Sequence, residues 1–137
     1  MKSKMISQRK LDSILAKHKL WIKSEHKKGK RANLSGQDLG VQNLNFMDLQ
    51  YANLSNANLT ASNLIDSNLS FADLRGANLT DALITLANLR GVLLHGPELL
   101  DICGFSKCKV SKRLLPWLSC HPNFAEWLPK MVIYEDD

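Results

Sequence analysis

The chain has 137 residues, 45% of them hydrophobic and 23% charged, with a formal net charge of +5, which suits one compact domain and is too short for two ordinary ones. No stretch approaches the ~18 uncharged apolar residues of a membrane span, and the basic start MKSKMISQRK leads into no apolar core or cleavage site of a secretory signal. The charge is lopsided: residues 1–31 carry a net +9, residues 32–96 a net −3 and residues 97–137 a net −1.

The first element is a helix. From Ser7 to about Glu25, Leu11, Ile14, Leu15, His18, Trp21 and Ile22 recur at helical spacing and form one apolar stripe. Ser7 is placed as an N-cap, and Lys27, Lys28 and Gly29 as a basic last turn and a stop.

A repeat follows. Leucine occupies Leu34, Leu39, Leu44, Leu49, Leu54, Leu59, Leu64, Leu69, Leu74 and Leu79, and the spacing of five continues through Ile84, Leu89 and Leu94. On an α-helix five residues step ~140° around the axis and make no stripe. On a flat strand an odd spacing sends alternate leucines to opposite faces. The chain must therefore bend once per repeat, and four right-angle bends close a coil of about 20 residues. Two residues before each leucine, positions 52 to 87 hold only alanine or serine, which fits a second inward position where stacked coils leave little room. Larger residues, Gln37, Gln42, Met47 and Val92, stand there only in the first and last coils. The residue just before the leucine is Asn or Asp in eleven of thirteen repeats, Leu83 and Leu93 being the exceptions. Asx side chains satisfy backbone groups at bends, so they are placed at the corners. The other two positions vary freely and read as solvent-facing.

In the last third, a short helix is expected over ELLDIC, then a Cys/Lys-rich loop, then RLLPWL, a helix near NFAEWL and a strand-like MVIY. Phe105, Trp117, Phe124, Trp127 and Tyr134 would form a small satellite core closing the last coil. The three cysteines do not suit a disulfide framework and imply free thiols in a reducing, cytoplasmic setting. Cys103, Cys108, Cys120 and His121 invite a zinc reading, but the Cys-x4-Cys spacing is loose and adjacent Cys120 and His121 are poorly placed for one tetrahedral ion. No metal or other cofactor is expected.

The run ANLSNANLTASNLIDSNLSFADLRGANLT, residues 52–80, resembles the A-(D/N)-L-x-x signature of the pentapeptide-repeat family. The lead-in LDSILAKHKLWIKSEHKKGKRANL, residues 11–34, is similar to the segment preceding the repeats in many bacterial and phage members. The resemblance implies an all-β solenoid, a right-handed quadrilateral β-helix with the leucine and the small residue inside. Here it would have about three coils, ~16 Å tall at the parallel-strand spacing. Residues 1–31 would be a basic capping helix lying as a lid over the first coil, 32–96 the β-helix, and 97–137 a small mixed helical and irregular cap.

No catalytic motif is present: there is no nucleophile elbow, P-loop, dinucleotide fingerprint or HExxH. The carboxylates Asp38, Asp48 and Asp73 fall at Asx positions of the repeat. The expectation is a non-enzymatic scaffold for a protein partner, with homodimerisation through the C-terminal segment left open. Residues 20 apart stack, placing Tyr51 against Phe71, and Phe46, Asp66 and Leu86 in one column. With Ile65 and Leu83, these form a candidate protein-binding patch, unless the terminal segments fold back over them. A second reading gives Lys27, Lys28, Lys30 and Arg31 to nucleic acid or another polyanion. A third comes from the resemblance, since some family members mimic duplex DNA and bind type II topoisomerases. That role needs a long acidic rod, against a net −3 over this short tower.

Overall fold

The computed structural model describes residues 4–95 and 107–135. From Asn33 onward the chain pairs with itself in parallel at intervals of twenty residues. The ladders run Asn33↔Asn53↔Asp73↔Leu93, Asp38↔Asn58↔Asn78, Asn43↔Asn63↔Leu83 and Asp48↔Asn68↔Asn88. Four such ladders per circuit make a four-sided coil. Its sides in the first circuit are residues 32–36, 37–41, 42–46 and 47–51, and later coils lie above earlier ones. Adjacent coils are joined by backbone bonds such as Leu34 N–H to Asn53 O (2.8 Å) and Asn53 N–H to Ala32 O (2.9 Å).

The location of the bend differs from the expectation. The Asx residue sits on the ladder rung, and in all eleven repeats that carry it, its Oδ1 accepts the N–H two residues on, at 3.0–3.3 Å. The turn falls on the two residues after the leucine, those expected to vary freely. The leucine C=O accepts the N–H three residues on, as in Gln37 N–H to Leu34 O (3.2 Å). The third turn residue is left-handed at every fifth position from Gly36 to Gly91, with φ of 54–71°. A positive φ at that position alone is the signature of a type II turn. Only three of the twelve are glycine, and three more, Asn56, Asp66 and Asp81, are Asx residues that tolerate this region; the other six, β-branched Val41 included, each bear roughly 1 kcal/mol of backbone strain. The ladder holds them there, because the strained residue's own N–H bonds the next coil, as in Phe46 to Ile65 O (3.0 Å).

Leucines and Ile84 fill the lumen: twelve of the thirteen columnar positions are at most 3% exposed, and Leu94, at the top, is half-buried. The small column is buried from Ala52 to Val92. Ser62 and Ser67 are fully enclosed there, and neither hydroxyl has a hydrogen-bond partner. An unsatisfied buried hydroxyl costs about 1–3 kcal/mol. Ser67→Ala is therefore expected to raise stability by about 1 kcal/mol, read as a rise of a few degrees in Tm; a lowered Tm would show the hydroxyl is satisfied in solution.

Helix α1, Gln8–Lys23, starts as expected, with Ser7 Oγ accepting Lys10 N–H at 3.4 Å. It stops earlier than Lys27–Gly29. Glu25 N–H bonds Ile22 O, His26 N–H bonds Trp21 O, and Glu25 is left-handed with φ of 52°, which together make a Schellman ending. Ser24 Oγ then accepts Lys28 N–H (2.8 Å), and Gly29 lets the chain recross the helix, where Lys30 N–H bonds Lys17 O (3.1 Å). Leu11 joins the core of the coil, with Ile14 and Leu15 packed against it. Met5 pairs with Asp38 and Ile6 N–H bonds Asp38 O, adding a rung beneath the second side.

At the other end the fourth side continues upward. β1 (Asn88–Leu89), β2 (Lys109–Ser111) and β3 (Val132–Tyr134) form a parallel sheet in that order. The segment expected as a Cys/Lys-rich loop is thus partly strand. Cys108 and Val110, both buried, continue the small and leucine columns, offset by twenty-one residues from Ala87 and Leu89 instead of twenty. Between β2 and β3 lie a 3₁₀ turn at Lys112–Leu114, α2 (Leu115–Leu118), α3 (Phe124–Trp127) and a 3₁₀ turn at Leu128–Lys130. Leu114, Leu118, Trp127 and Met131 are buried, whereas Trp117 is 48% exposed and outside the satellite core assigned to it. The expected ELLDIC helix, Phe105 and Cys103 lie outside the described residues. No helix among the described residues is long and apolar enough to cross a membrane.

Candidate functional site

The coil register sorts the six candidate surface residues into two groups. Phe46, Ile65, Leu83 and Leu86 all lie on the third side: Leu83 stacks above Asn63, Ile65 lies between Asn45 and Thr85, and Phe46 and Leu86 stand on its corner with Asp66 between them. Phe46 is 69%, Leu83 42% and Leu86 41% exposed, and Ile65 is half-buried. Tyr51 and Phe71 stand on the far corner of the fourth side. Their rings stack as expected, with centroids 5.2 Å apart and 11° between planes. This stack continues into the N-terminal cap. Trp21 and His26, themselves stacked at 3.8 Å, meet Tyr51 edge-on at 6.3 and 5.9 Å, and Arg31 Nε donates to the Tyr51 carbonyl. Gly91 (φ 69°) lies directly above Phe71, whose ring occupies the space a Cβ there would need. These contacts tie α1 and the segment after it to the coil, while Tyr51 and Phe71 remain 36% and 42% exposed.

Lys27, Lys28, Lys30 and Arg31 are exposed. Two of them have partners: Lys27 pairs with Glu25 at 3.3 Å and Arg31 is engaged at Tyr51; Lys30 and Arg31 also border a small groove with Ile14 and Lys17. The carboxylates are similarly occupied. Asp38 accepts from Asn58 Nδ2 (2.8 Å), and Asp73 takes Arg75 in a two-point pair at 2.9 and 2.7 Å that holds its carboxyl below the usual range. Cys108 is enclosed, donates to Ile84 O, and has its thiol pushed up by burial to about 12, so it serves as packing. Cys120 is exposed, and among the described residues no three His, Cys, Asp or Glu side chains are grouped as metal ligands.

The family profile described as Pentapeptide repeats matches in eight copies, over residues 30–64, 43–81 and 57–96. Residues 30–96 belong to the pentapeptide-repeat family. Among solved structures, the chain is similar to the pentapeptide repeat protein Rfr23 of the cyanobacterium Cyanothece, with 40% identity over 45% of this chain and 39% of that one and a TM-score of 0.38. It is also similar to HetL of the cyanobacterium Nostoc, a pentapeptide repeat protein involved in heterocyst differentiation regulation, with 32% identity over 57% of this chain and 44% of that one and a TM-score of 0.28. A third, the pentapeptide repeat protein alr5209 of Nostoc, shows 22% identity over 89% of this chain and 96% of that one, with a TM-score of 0.26. The chain thus spans about two fifths of the length of the first two. No curated protein matches it.

Beside Leu11, α1 also buries a polar side chain against these pentapeptide coils, His18. It is fully buried, its Nδ1 accepts Ala32 N–H at 3.1 Å, and its Nε2 has no hydrogen-bond partner. Burial pushes its pKa below 6.5; the Asp48 carboxylate and the Gln50 carbonyl offset part of that, and Arg31 adds to it. Well above pH 6.5 the imidazole is neutral in both folded and unfolded chains, so stability is level with respect to this group. As pH falls below that value the unfolded chain takes up a proton that the folded one resists, and stability drops until the depressed folded pKa is reached. Thermal melts from pH 8 to 5 are expected to be flat and then decline, and His18→Gln to lose most of the decline; an equal slope in both proteins would clear His18 of the effect.

Proposed function

We propose that this protein is a non-enzymatic pentapeptide-repeat scaffold that binds a protein partner on the third side of its coil, through Phe46, Ile65, Leu83 and Leu86. Residues 32–96 are its β-helix, a right-handed quadrilateral coil in keeping with the hand of parallel crossovers; residues 1–31 and 97–137 are its caps. One observation carries the reading: on this side large apolar residues replace residues that would serve the coil better. Leu83 stands where eleven repeats place Asn or Asp, so its repeat lacks the Oδ1 that accepts the turn N–H. Phe46 and Leu86 are bulky side chains held left-handed and exposed, at positions where Gly or Asn would be less strained. Large apolar side chains exposed together on one side of a coil are suited to a protein contact.

The test is a Leu83→Asn/Leu86→Asn double variant. Both changes restore residues the coil favours, so the variant should melt no lower than the parent. Cross-linking and affinity capture should recover a partner with the parent and lose it with the variant. Undiminished capture by the variant would reject the third side as the contact.

A further inference from the structure

A groove runs between α1 and the corner at Phe46. Its floor is Leu15, Ile22, Phe46 and Met47, its volume is about 330 Å³, and Lys19 and Lys23 stand on its helical rim. Leu15 and Ile22 are only half-buried, and Phe46 and Met47 are 69% and 37% exposed, so the apolar floor is not closed by the protein's own packing. The two lysines are four residues apart on one helical face, within about 6 Å of each other at Cβ. Neither has a carboxylate partner among the described residues. The one acid in the lining, Asp48, accepts Gln50 N–H (3.3 Å) and lies near His18. The segment that supplies both lysines, residues 1–31, carries a net +9 in sequence. The floor calls for an apolar side chain, and the rim calls for negative charge beside it.

We propose that this groove docks a short segment of a partner protein carrying one or two large apolar side chains flanked by carboxylates. The proposal rests on the scaffold reading and adds a second contact, joined to the third side through Phe46. The apolar anchor would lie against Phe46 and Met47, while Lys19 and Lys23 take the flanking acids. The contact would weaken with added salt, because its charged half is exposed.

The test titrates the full-length ¹⁵N-labelled protein with three synthetic octapeptides. One has Leu and Phe between acidic flanks, one has Ser in place of the Leu and Phe, and one has Lys in place of the acids. The first should shift the amides of Lys19, Lys23, Phe46 and Met47 and bind at least tenfold more tightly than the other two. Lys19→Glu/Lys23→Glu should weaken it by about tenfold and Phe46→Ser by about fivefold, with circular dichroism melts confirming that both fold. Leu83→Asn/Leu86→Asn should leave peptide affinity unchanged. Equal binding of the serine peptide, equal binding of the lysine peptide, shifts confined to other residues, or no binding would each overturn the proposal. So would sedimentation of the protein with phosphatidylserine–phosphatidylcholine vesicles while the acidic peptide leaves the spectrum unmoved, which would assign the surface to lipid. The two readings fail separately. Loss of partner capture in Leu83→Asn/Leu86→Asn without any peptide binding sinks the groove alone, and peptide binding with undiminished capture sinks the third side alone.

Discussion

Leu64→Ala is expected to lower stability by about 2–5 kcal/mol, and thereby to drop Tm by roughly 10 °C or more. Leu64 is fully buried in the second coil, between Leu44 in the coil below and Ile84 in the coil above. Truncation leaves a void that the neighbours cannot close, because each is fixed by its own ladder bonds, such as Leu44 N–H to Asn63 O (2.7 Å) and Leu64 N–H to Leu83 O (2.8 Å). A domain whose total stability is about 5–15 kcal/mol has little reserve against such a loss, and a stack of about three coils has few interfaces over which to spread it. Thr60→Ala is the control. Its hydroxyl lies outside and donates to Asn58 Oδ1 at 2.6 Å, but the Thr60 N–H still reaches the same oxygen, so the cost should stay below about 1 kcal/mol. Equilibrium urea unfolding of the pair measures both. Similar small losses would mean that the lumen column does not carry the fold.

The period of five made the lumen legible, because no regular helix or strand can gather Leu34, Leu39, Leu44 and their successors on one side. The Asx residue was also legible as a backbone acceptor. Its place was not: an Asx turn and the β-turn after it are adjacent, and sequence spacing alone does not tell which residue bends. The left-handed positions were hidden because nine of them are not glycine; the ladder imposes the conformation and composition does not advertise it. β2 was missed because one extra residue puts Cys108 and Val110 out of phase with the five-residue count, although the small-x-aliphatic pattern is present. For the candidate surface, the twenty-residue column rule correctly stacked Tyr51 on Phe71, but it could not show that Trp21 and His26 reach across from the cap. That is a contact between distant segments with no periodicity to reveal it. The groove was beyond reach for the same reason, since it exists only where α1 meets the corner at Phe46.

Gly29→Ala is expected to destabilise by about 3 kcal/mol or more, from two causes that add at one position. Gly29 has a φ of 78°, which disfavours any side chain, and its Cβ would overlap the Lys17 carbonyl oxygen and stand 2.8 Å from Trp21 N. Both obstacles are backbone atoms of α1, so neither can swing aside as a flexible side chain would. To relieve the clash, the recrossing segment must lift from the helix and break Lys30 N–H to Lys17 O. Residue 29 lies three positions before Ala32, whose N–H is held by His18, and five before Leu34, the first leucine of the lumen. Displacement there should loosen His18 and expose the floor of the first coil. Amide hydrogen exchange at Ala32 should accelerate before the global melt, and the fluorescence of Trp21 should change as its stack with His26 opens. Glu25→Gly tests the converse, since it relieves a left-handed residue at the end of the same helix with no clash to create, and should stabilise by up to about 1 kcal/mol. A Gly29→Ala protein that melts with the parent and keeps Ala32 protected would mean that the cap is held by its side-chain contacts alone, and that this backbone crossing does not position it.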